Sequence, residues 1–444
     1  MRYVCFAILL GVLAVTGCKE TNTNIPAPPT RADSVEIFRK AFTTPEDCKT
    51  CHPKQYEDWS MSMHAYAMVD PVFFSLNKMG QDLTNHKLDQ FCVACHSPFA
   101  TLLGEAPNGI PNTTLSPISR GGVTCENCHR ATSHIPGHPI STYRLDNTFL
   151  GPLRDAQSNS FHKSQFDTVF HQGIVCAGCH DVINPRGIPV EQTFTEWQNS
   201  DYPGQGIPCQ VCHMKWEKGS IAVGGPPDRM VHSHTMEGVD VPLVDFPNRD
   251  KMIEKVAYAL QYAVAAQLNV PATITRGKNV PITYNIYNQI TGHNIPSGTI
   301  FERQMWVEAV VTNENGDTLF TSGFTDPNGD LLNQKSDYVK KGLRTKDTSL
   351  VLFNGTAYRL NQEIDFFFDA DAVVNRTIPP FQSRFAKYIL TPSQYGSSQE
   401  VMVHIRLLFR AMPPYLLRML GHADLIPKMP TFVMEEAEEV ISIK

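Results

Sequence analysis

Five stretches of this sequence share one pattern: two cysteines separated by two residues, with a histidine directly after the second. They are Cys48-Lys-Thr-Cys51-His52, Cys92-Val-Ala-Cys95-His96, Cys125-Glu-Asn-Cys128-His129, Cys176-Ala-Gly-Cys179-His180 and Cys209-Gln-Val-Cys212-His213. The spacing meets a chemical requirement. Two thiols so placed reach the two vinyl groups on one edge of a haem, and the next residue falls under the iron as its axial ligand. A structural zinc site draws four ligands from paired motifs, and a disulfide framework gives no reason for His after every second Cys. The pattern therefore predicts five covalently bound haem c groups. Their thioethers are at Cys48, Cys51, Cys92, Cys95, Cys125, Cys128, Cys176, Cys179, Cys209 and Cys212, and their proximal ligands are His52, His96, His129, His180 and His213.

A six-coordinate iron needs one more ligand, usually His in chains with many haems. The sequence has 16 histidines, so eleven remain, and nine of those fall between residues 64 and 293. Candidate distal ligands are His64, His134, His138, His162, His171, His232, His234 and His293. His64 follows the first motif on a helical stretch. His134 and His138 can turn back from the third motif. His162 or His171 precedes the fourth, and His232 or His234 follows the fifth. His293 lies in the turn-rich loop Gly292-His-Asn-Ile-Pro-Ser-Gly298. His86 is left open, and His404 and His422 read as surface residues. Met63, Met68, Met230 and Met236 read as packing rather than ligands.

The elements around these residues divide the chain. Met1-Arg2 and the apolar run from Val4 to Val15 predict a signal peptide over 1–17. Its end, Leu13-Ala14-Val15-Thr16-Gly17-Cys18, looks like a bacterial lipobox, so Cys18 is the expected lipidation site. Lys19 after it favours the outer membrane, on either its periplasmic or its cell-surface side. Residues 18–34 are polar and Pro-rich, a flexible tether. Residues 35–245 carry all five motifs, with short helical pieces such as Lys54–Val69 and Asp70–Met79 and little other periodicity. Equal 33-residue gaps suggest two paired units, 92–129 and 176–213, behind a single first motif. Helical spacing over 246–268, with Asn248 as N-cap, predicts a connecting helix packed on the motif region. Residues 269–444 switch to period two. Strands are expected at Val280–Tyr287, Trp306–Thr312, Thr318–Phe320, Ser349–Phe353, Ile364–Phe368, Ala386–Leu390 and Val401–Phe409, and the chain closes in loops and a short helix over Pro414–Leu420. The fold class is thus multidomain: an irregular, mainly α pentahaem cytochrome c domain followed by a β-sandwich-like C-terminal domain. A net charge of −6 gives no basic field for nucleic acid.

Beyond the bare motifs the chain resembles multihaem c-type cytochromes of the cytochrome c-552/c-554 type. The resemblance rests on Cys48-x-x-Cys-His-Pro-Lys-Gln-Tyr56-x-x-Trp59-x-x-Ser62-x-His64-Ala65, on Gly122-Val-Thr-Cys125-Glu-Asn-Cys-His129, and on Glu196-Trp197 through Gly206-Ile-Pro-Cys209-Gln-Val-Cys-His-Met214. It covers about 46–240 and implies electron transfer by mostly bis-His haems, with His64 as a distal ligand. The second half, with Gly-His293-x-x-Pro-Ser-Gly and Arg303-x-x-Trp306, is similar to the haem-free extensions of exported multihaem cytochromes. A fifth motif and the long second half depart from the tetrahaem pattern. Three functions compete. One is an anchored wire between membrane donors and periplasmic or extracellular acceptors, working with redox partner proteins. Another is a pentahaem reductase or oxidoreductase of nitrogen compounds with one open iron. The third is a cytochrome subunit that forms a complex or filament. The pentahaem nitrite reductases usually carry Lys in place of one motif His, and here all five motifs end in His.

Overall fold

The computed structural model describes residues 31–444, with side chains from residue 34. The expected signal peptide, Cys18 and nearly all of the tether lie outside the described residues. No helix among the described residues is long and apolar enough to cross a membrane.

The motif-bearing half is a set of short helices joined by turns. Each Cys-x-x-Cys-His run forms one helical turn, with the His N–H donating to the first Cys carbonyl, as in His52 to Cys48 at 2.8 Å and His180 to Cys176 at 3.0 Å. One turn is the geometry that sets both thiols on the same side. The stretch expected as a helix over Lys54–Val69 is two helices, α1 (Pro53–Ser60) and the single turn Met63–Tyr66. They part at Met61-Ser62 because the Ser62 hydroxyl caps the second, accepting from the Ala65 N–H. α2 (Pro71–Leu83) starts where proline fixes the first helical φ and the Asp70 carboxylate accepts from Val72 N–H. α3 (Thr193–Gln198) lies between motifs 4 and 5.

α4 (Arg249–Ala263) corrects two expectations. Asn248 has φ 53° and makes no side-chain cap. The helix ends at Ala263, and Val264 already pairs with Asn288 as a strand. Its buried face, Met252, Val256, Leu260 and Ala263, packs into a core made mostly by the second half but shared with Met61 and Val241 of the motif half, and Lys255 reaches Glu237 of that half at 3.8 Å.

That core lies between two sheets. One has β1 (Val264–Asn269), β2 (Val280–Asn288) and a later strand, Ser383–Leu390, in which β2 is central. The other runs through β3 (Gln304–Asn313), β4 (Thr318–Ser322), Glu400–Arg410 and Phe432–Ile443, with Val351–Phe353 and Thr273–Ile274 at its margins. Ile282, Tyr284 and Ile286 meet Val307, Ala309, Val311, Val403, Ile405 and Leu407 in one apolar cluster. Strand periodicity finds most of these elements, but Ile364–Phe368 is no strand. Only Gln362–Ile364 pairs, and the chain then coils to bury Phe368. The twelve-residue strand Phe432–Ile443, expected as loop, pairs along Glu400–Arg410.

The halves share further contacts. Val72 of α2 and Leu243 pack with Met412, Leu416, Leu417 and Leu420. The Arg303 guanidinium grips Asp240 through two bonds of 2.6 and 2.7 Å.

Candidate functional site

A continuous cavity of about 2100 Å³ runs through the motif-bearing half and against the β half. All ten motif cysteines and all five motif histidines line it. Protein interiors are otherwise close-packed, so a space of this size is shaped for bulky groups. The motif histidines are held for metal binding. Nδ1 of His52, His129 and His213 donates to the carbonyls of Ile221, Leu150 and Glu237 at 2.7, 2.7 and 2.6 Å. His96 bonds the Ala67 carbonyl. His180 is the exception: its Nδ1 meets a carboxylate, Glu191 Oε1, at 3.4 Å. Committing Nδ1 as donor leaves Nε2 as the lone-pair nitrogen that faces the cavity. Burial pushes His96 down to about 4. Burial also opposes the charged form of His180, but the hydrogen bond and charge of Glu191 outweigh it and raise that group to about 9.

Four motif histidines face a second imidazole. Ring centroids are 6.2 Å apart for His52 and His162, 6.3 Å for His129 and His234, 6.3 Å for His180 and His64, and 6.2 Å for His213 and His293. Two imidazoles on one metal, each with a nitrogen–metal bond of roughly 2 Å, put their ring centres about 6.3 Å apart. The second partners also commit Nδ1: His293 to Asn294 O at 2.8 Å, His234 to His232 O at 3.0 Å, His162 to Lys163 O at 3.2 Å and His64 to the Met236 sulfur at 2.9 Å. Burial lowers His64, His234 and His293 to about 4, so each is neutral and available as a ligand near neutral pH. Thiols at vinyl spacing, imidazoles paired at metal-bridging distance and an apolar cavity fit haem c.

Residues 47–130, covering the first three motifs, match the family described as cytochrome c554 and c-prime. Among solved structures, a penta-haem cytochrome c552 from Thermochromatium tepidum aligns over 90% of this chain and 99% of that one, with 17% identity and a TM-score of 0.62. At that identity the likeness shows the fold. This chain is a multihaem c-type cytochrome by its motifs and fold, and residues 47–130 carry the pattern of the cytochrome c554 and c-prime family. MtrC from Shewanella baltica aligns over 72% of the cytochrome and 45% of its own chain, at 10% identity and a TM-score of 0.18, and carries no argument. No curated protein matches.

The cytochrome places the other candidate histidines differently. His134 and His138 do not line the cavity. His171 commits Nε2 to Pro152 O at 3.2 Å, and His232 stacks on Trp216 at 3.6 Å. Among the described residues no histidine ring faces His96. Phe73 of α2 stacks on it, 4.1 Å away. The motifs also meet in an order the 33-residue gaps did not suggest. Cys48 lies in hydrogen-bond reach of Cys125, Cys95 of Cys179, and Cys176 of Cys209. Cys128 in turn lies close enough to Cys179 to feel its charge. Motif 2 therefore adjoins motif 4, motif 3 adjoins motif 1, and Cys95, Cys128 and Cys179 of motifs 2, 3 and 4 all lie near Tyr143. Motifs 4 and 5 do meet. Three residues that shape the site had no motif to announce them: Glu191 beside His180, Phe73 beside His96, and Asp58. The Asp58 carboxylate accepts from His234 N–H at 3.1 Å and from Ser233 Oγ at 3.1 Å.

Proposed function

We propose that this cytochrome carries five haem c groups and works as an electron relay. The thioethers form at the ten motif cysteines, and His52, His96, His129, His180 and His213 are the proximal ligands. His162, His64, His234 and His293 are the second ligands opposite His52, His180, His129 and His213. Haem c, when bound, supplies a reversible one-electron iron couple. The protein's part is to hold both axial nitrogens in place and to exclude water from the cavity. A centre closed by two imidazoles has no position for a substrate, which leaves electron transfer as its role. The observation that carries the reading is the spacing of 6.2–6.3 Å in four of five motif histidines. The adjacencies make motif 4 a hub, touching motifs 2, 3 and 5. Cys18, at the end of the lipobox-like Leu13–Cys18 run, anchors the exported chain to the outer membrane, where it exchanges electrons with redox partner proteins or extracellular acceptors.

A second reading is favoured by one observation. His96 meets Phe73 instead of an imidazole, so motif 2 is the place for an open iron position. A buried polar group lies near it. Glu302, which acts on Cys92, is pushed up to about 7, and Asp70 to about 6, in both cases chiefly by burial. Carboxyls that are partly protonated at neutral pH could serve reduction of a small nitrogen compound there. Electron paramagnetic resonance of the oxidised holoprotein, with carbon monoxide added to the reduced form, tests both readings. Four low-spin centres and one high-spin centre that takes up carbon monoxide are expected. Five low-spin centres unmoved by ligands would remove the second reading. Two or more open centres would break the assignment of second ligands.

A further inference from the structure

We infer that Glu196 is the positioning residue that sets His293, a ligand offered by the β half, against motif 5. This rests on the reading of His213 and His293 as an axial pair. Glu196 lies on α3, within the motif-bearing half, and its Oε2 reaches across to the His293 loop. It accepts from Asn294 N–H at 3.1 Å and from Ser297 Oγ at 2.6 Å. Thr193, one helical turn earlier on the same face, accepts from Gly298 N–H at 3.1 Å and bonds Ser297 Oγ at 2.8 Å. The residues that follow His293 are thus tied to one short helix.

Trp197 and Tyr202 hold the other end of the loop. Gly292 packs so closely on them that a Cβ there would meet Tyr202 Cδ2 at 2.5 Å and Trp197 Cδ1 at 3.0 Å. The Tyr202 hydroxyl donates to Ile290 O at 2.7 Å. α3 is itself fixed to motif 4, because Phe194 N–H donates to His180 O at 2.9 Å and Thr195 Oγ1 to Asp181 Oδ2 at 2.7 Å. Glu196 is half-buried, and the desolvation raises its carboxyl to about 7 against the two hydrogen bonds it accepts. A surface loop has no need of such a residue. A loop that must return one imidazole to one place does, since a ligand that drifts by about 1 Å is lost.

The experiment compares the full-length holoproteins of Glu196→Ala, Glu196→Gln, Ser297→Ala, His293→Ala and the Glu196→Ala/His293→Ala double variant. It reads high-spin ferric signal and carbon monoxide uptake per chain. His293→Ala is expected to add one open centre to the parent value. Glu196→Ala should open the same centre partially. Glu196→Gln should stay close to the parent, because a carboxamide oxygen accepts both bonds. The double variant should equal His293→Ala. Ser297→Ala, which removes the hydroxyl's bonds to Glu196 and Thr193 but leaves Asn294 N–H on Glu196 and the helix intact, should also open that centre partially and keeps the test available if Glu196→Ala fails to mature. If His293→Ala opens a centre while Glu196→Ala and Ser297→Ala match the parent, the positioning role is overturned. If His293→Ala opens none, the axial pair itself falls, and the role of Glu196 with it.

Discussion

At the scale of single residues, the five motif histidines differ in one respect that matters for redox chemistry. His52, His129 and His213 donate Nδ1 to a backbone carbonyl, His96 bonds the Ala67 carbonyl, and His180 donates Nδ1 to the Glu191 carboxylate. A charged acceptor draws the Nδ1 proton and gives the imidazole more anionic character. On a haem iron held as proposed, His180 would then donate more strongly, which would favour the ferric state and lower the reduction potential. Glu191→Gln should therefore raise one of the resolved potentials, by on the order of tens of millivolts, and leave the rest near their parent values. A spectroelectrochemical titration reads this directly, and an unchanged set of potentials would show that the contact has no electronic effect. The motif cysteines and histidines were legible because thioether chemistry fixes their spacing within one helical turn. The imidazoles that face the motif histidines were not. His64 sits twelve residues after His52 yet faces His180, and His293 comes from the other half of the chain. Which imidazole meets which motif is decided by tertiary contacts such as Asp58 with His234 and Glu196 with the His293 loop. Neither carboxylate stands at a telling distance from a motif.

At the scale of elements, periodicity succeeds where one face is buried and the other wet, as in Glu400–Arg410. It fails at Phe432–Ile443, where Phe432, Met434, Ile441 and Ile443 are buried around a run of Glu435, Glu436, Glu438 and Glu439. The facing strand shifts register between Leu407 and Leu408, so no single alternation spans the element. The end of α4 was missed for another reason. Val264-Ala265-Ala266-Gln267-Leu268 suits either period, and pairing with β2 decides it. Among the short helices, α1 has a task beyond its own packing. Asp58 near its end accepts from Lys54 Nζ at 2.6 Å, Ser233 Oγ at 3.1 Å and His234 N–H at 3.1 Å. It joins the first motif's helix to the segment that carries His234. Asp58→Ala leaves the His234 N–H without its acceptor and Ser233 Oγ with Thr235 Oγ1 alone, and should cost about 2–4 kcal/mol of stability. It should also raise the high-spin fraction at the His129 centre alone. Calorimetry paired with electron paramagnetic resonance separates the effects. A variant as stable as the parent, with every centre low-spin, would show that the segment is held by other contacts.

At the scale of the whole molecule, the two halves differ in composition but depend on each other. The motif half is built from short turns around the cavity, and its ordinary apolar clusters are small. The β half has the one large apolar core, and α4 packs into it. Contacts join them at several separated places: Val72 and Leu243 against Met412, Leu416 and Leu420; Arg303 on Asp240; Arg186 on Asp369; and the His293 loop on α3. The cavity is closed on one side by residues of the β half, among them Arg303, Ala411 and Met412. Loss of the sheets would therefore withdraw His293, open the cavity to water and remove the packing of α2 in a single event. Stability shared in this way makes unfolding cooperative. Thermal unfolding of the holoprotein should give one midpoint by far-ultraviolet circular dichroism, which follows the sheets, and the same midpoint by the Soret band, which follows axial ligation. Thioethers keep the cofactors attached throughout, so a Soret change reports ligand loss and not cofactor release. Two midpoints, with the sheets melting first and the Soret band still native, would mean that the β half is an appendage whose imidazole the motif-5 centre does not need.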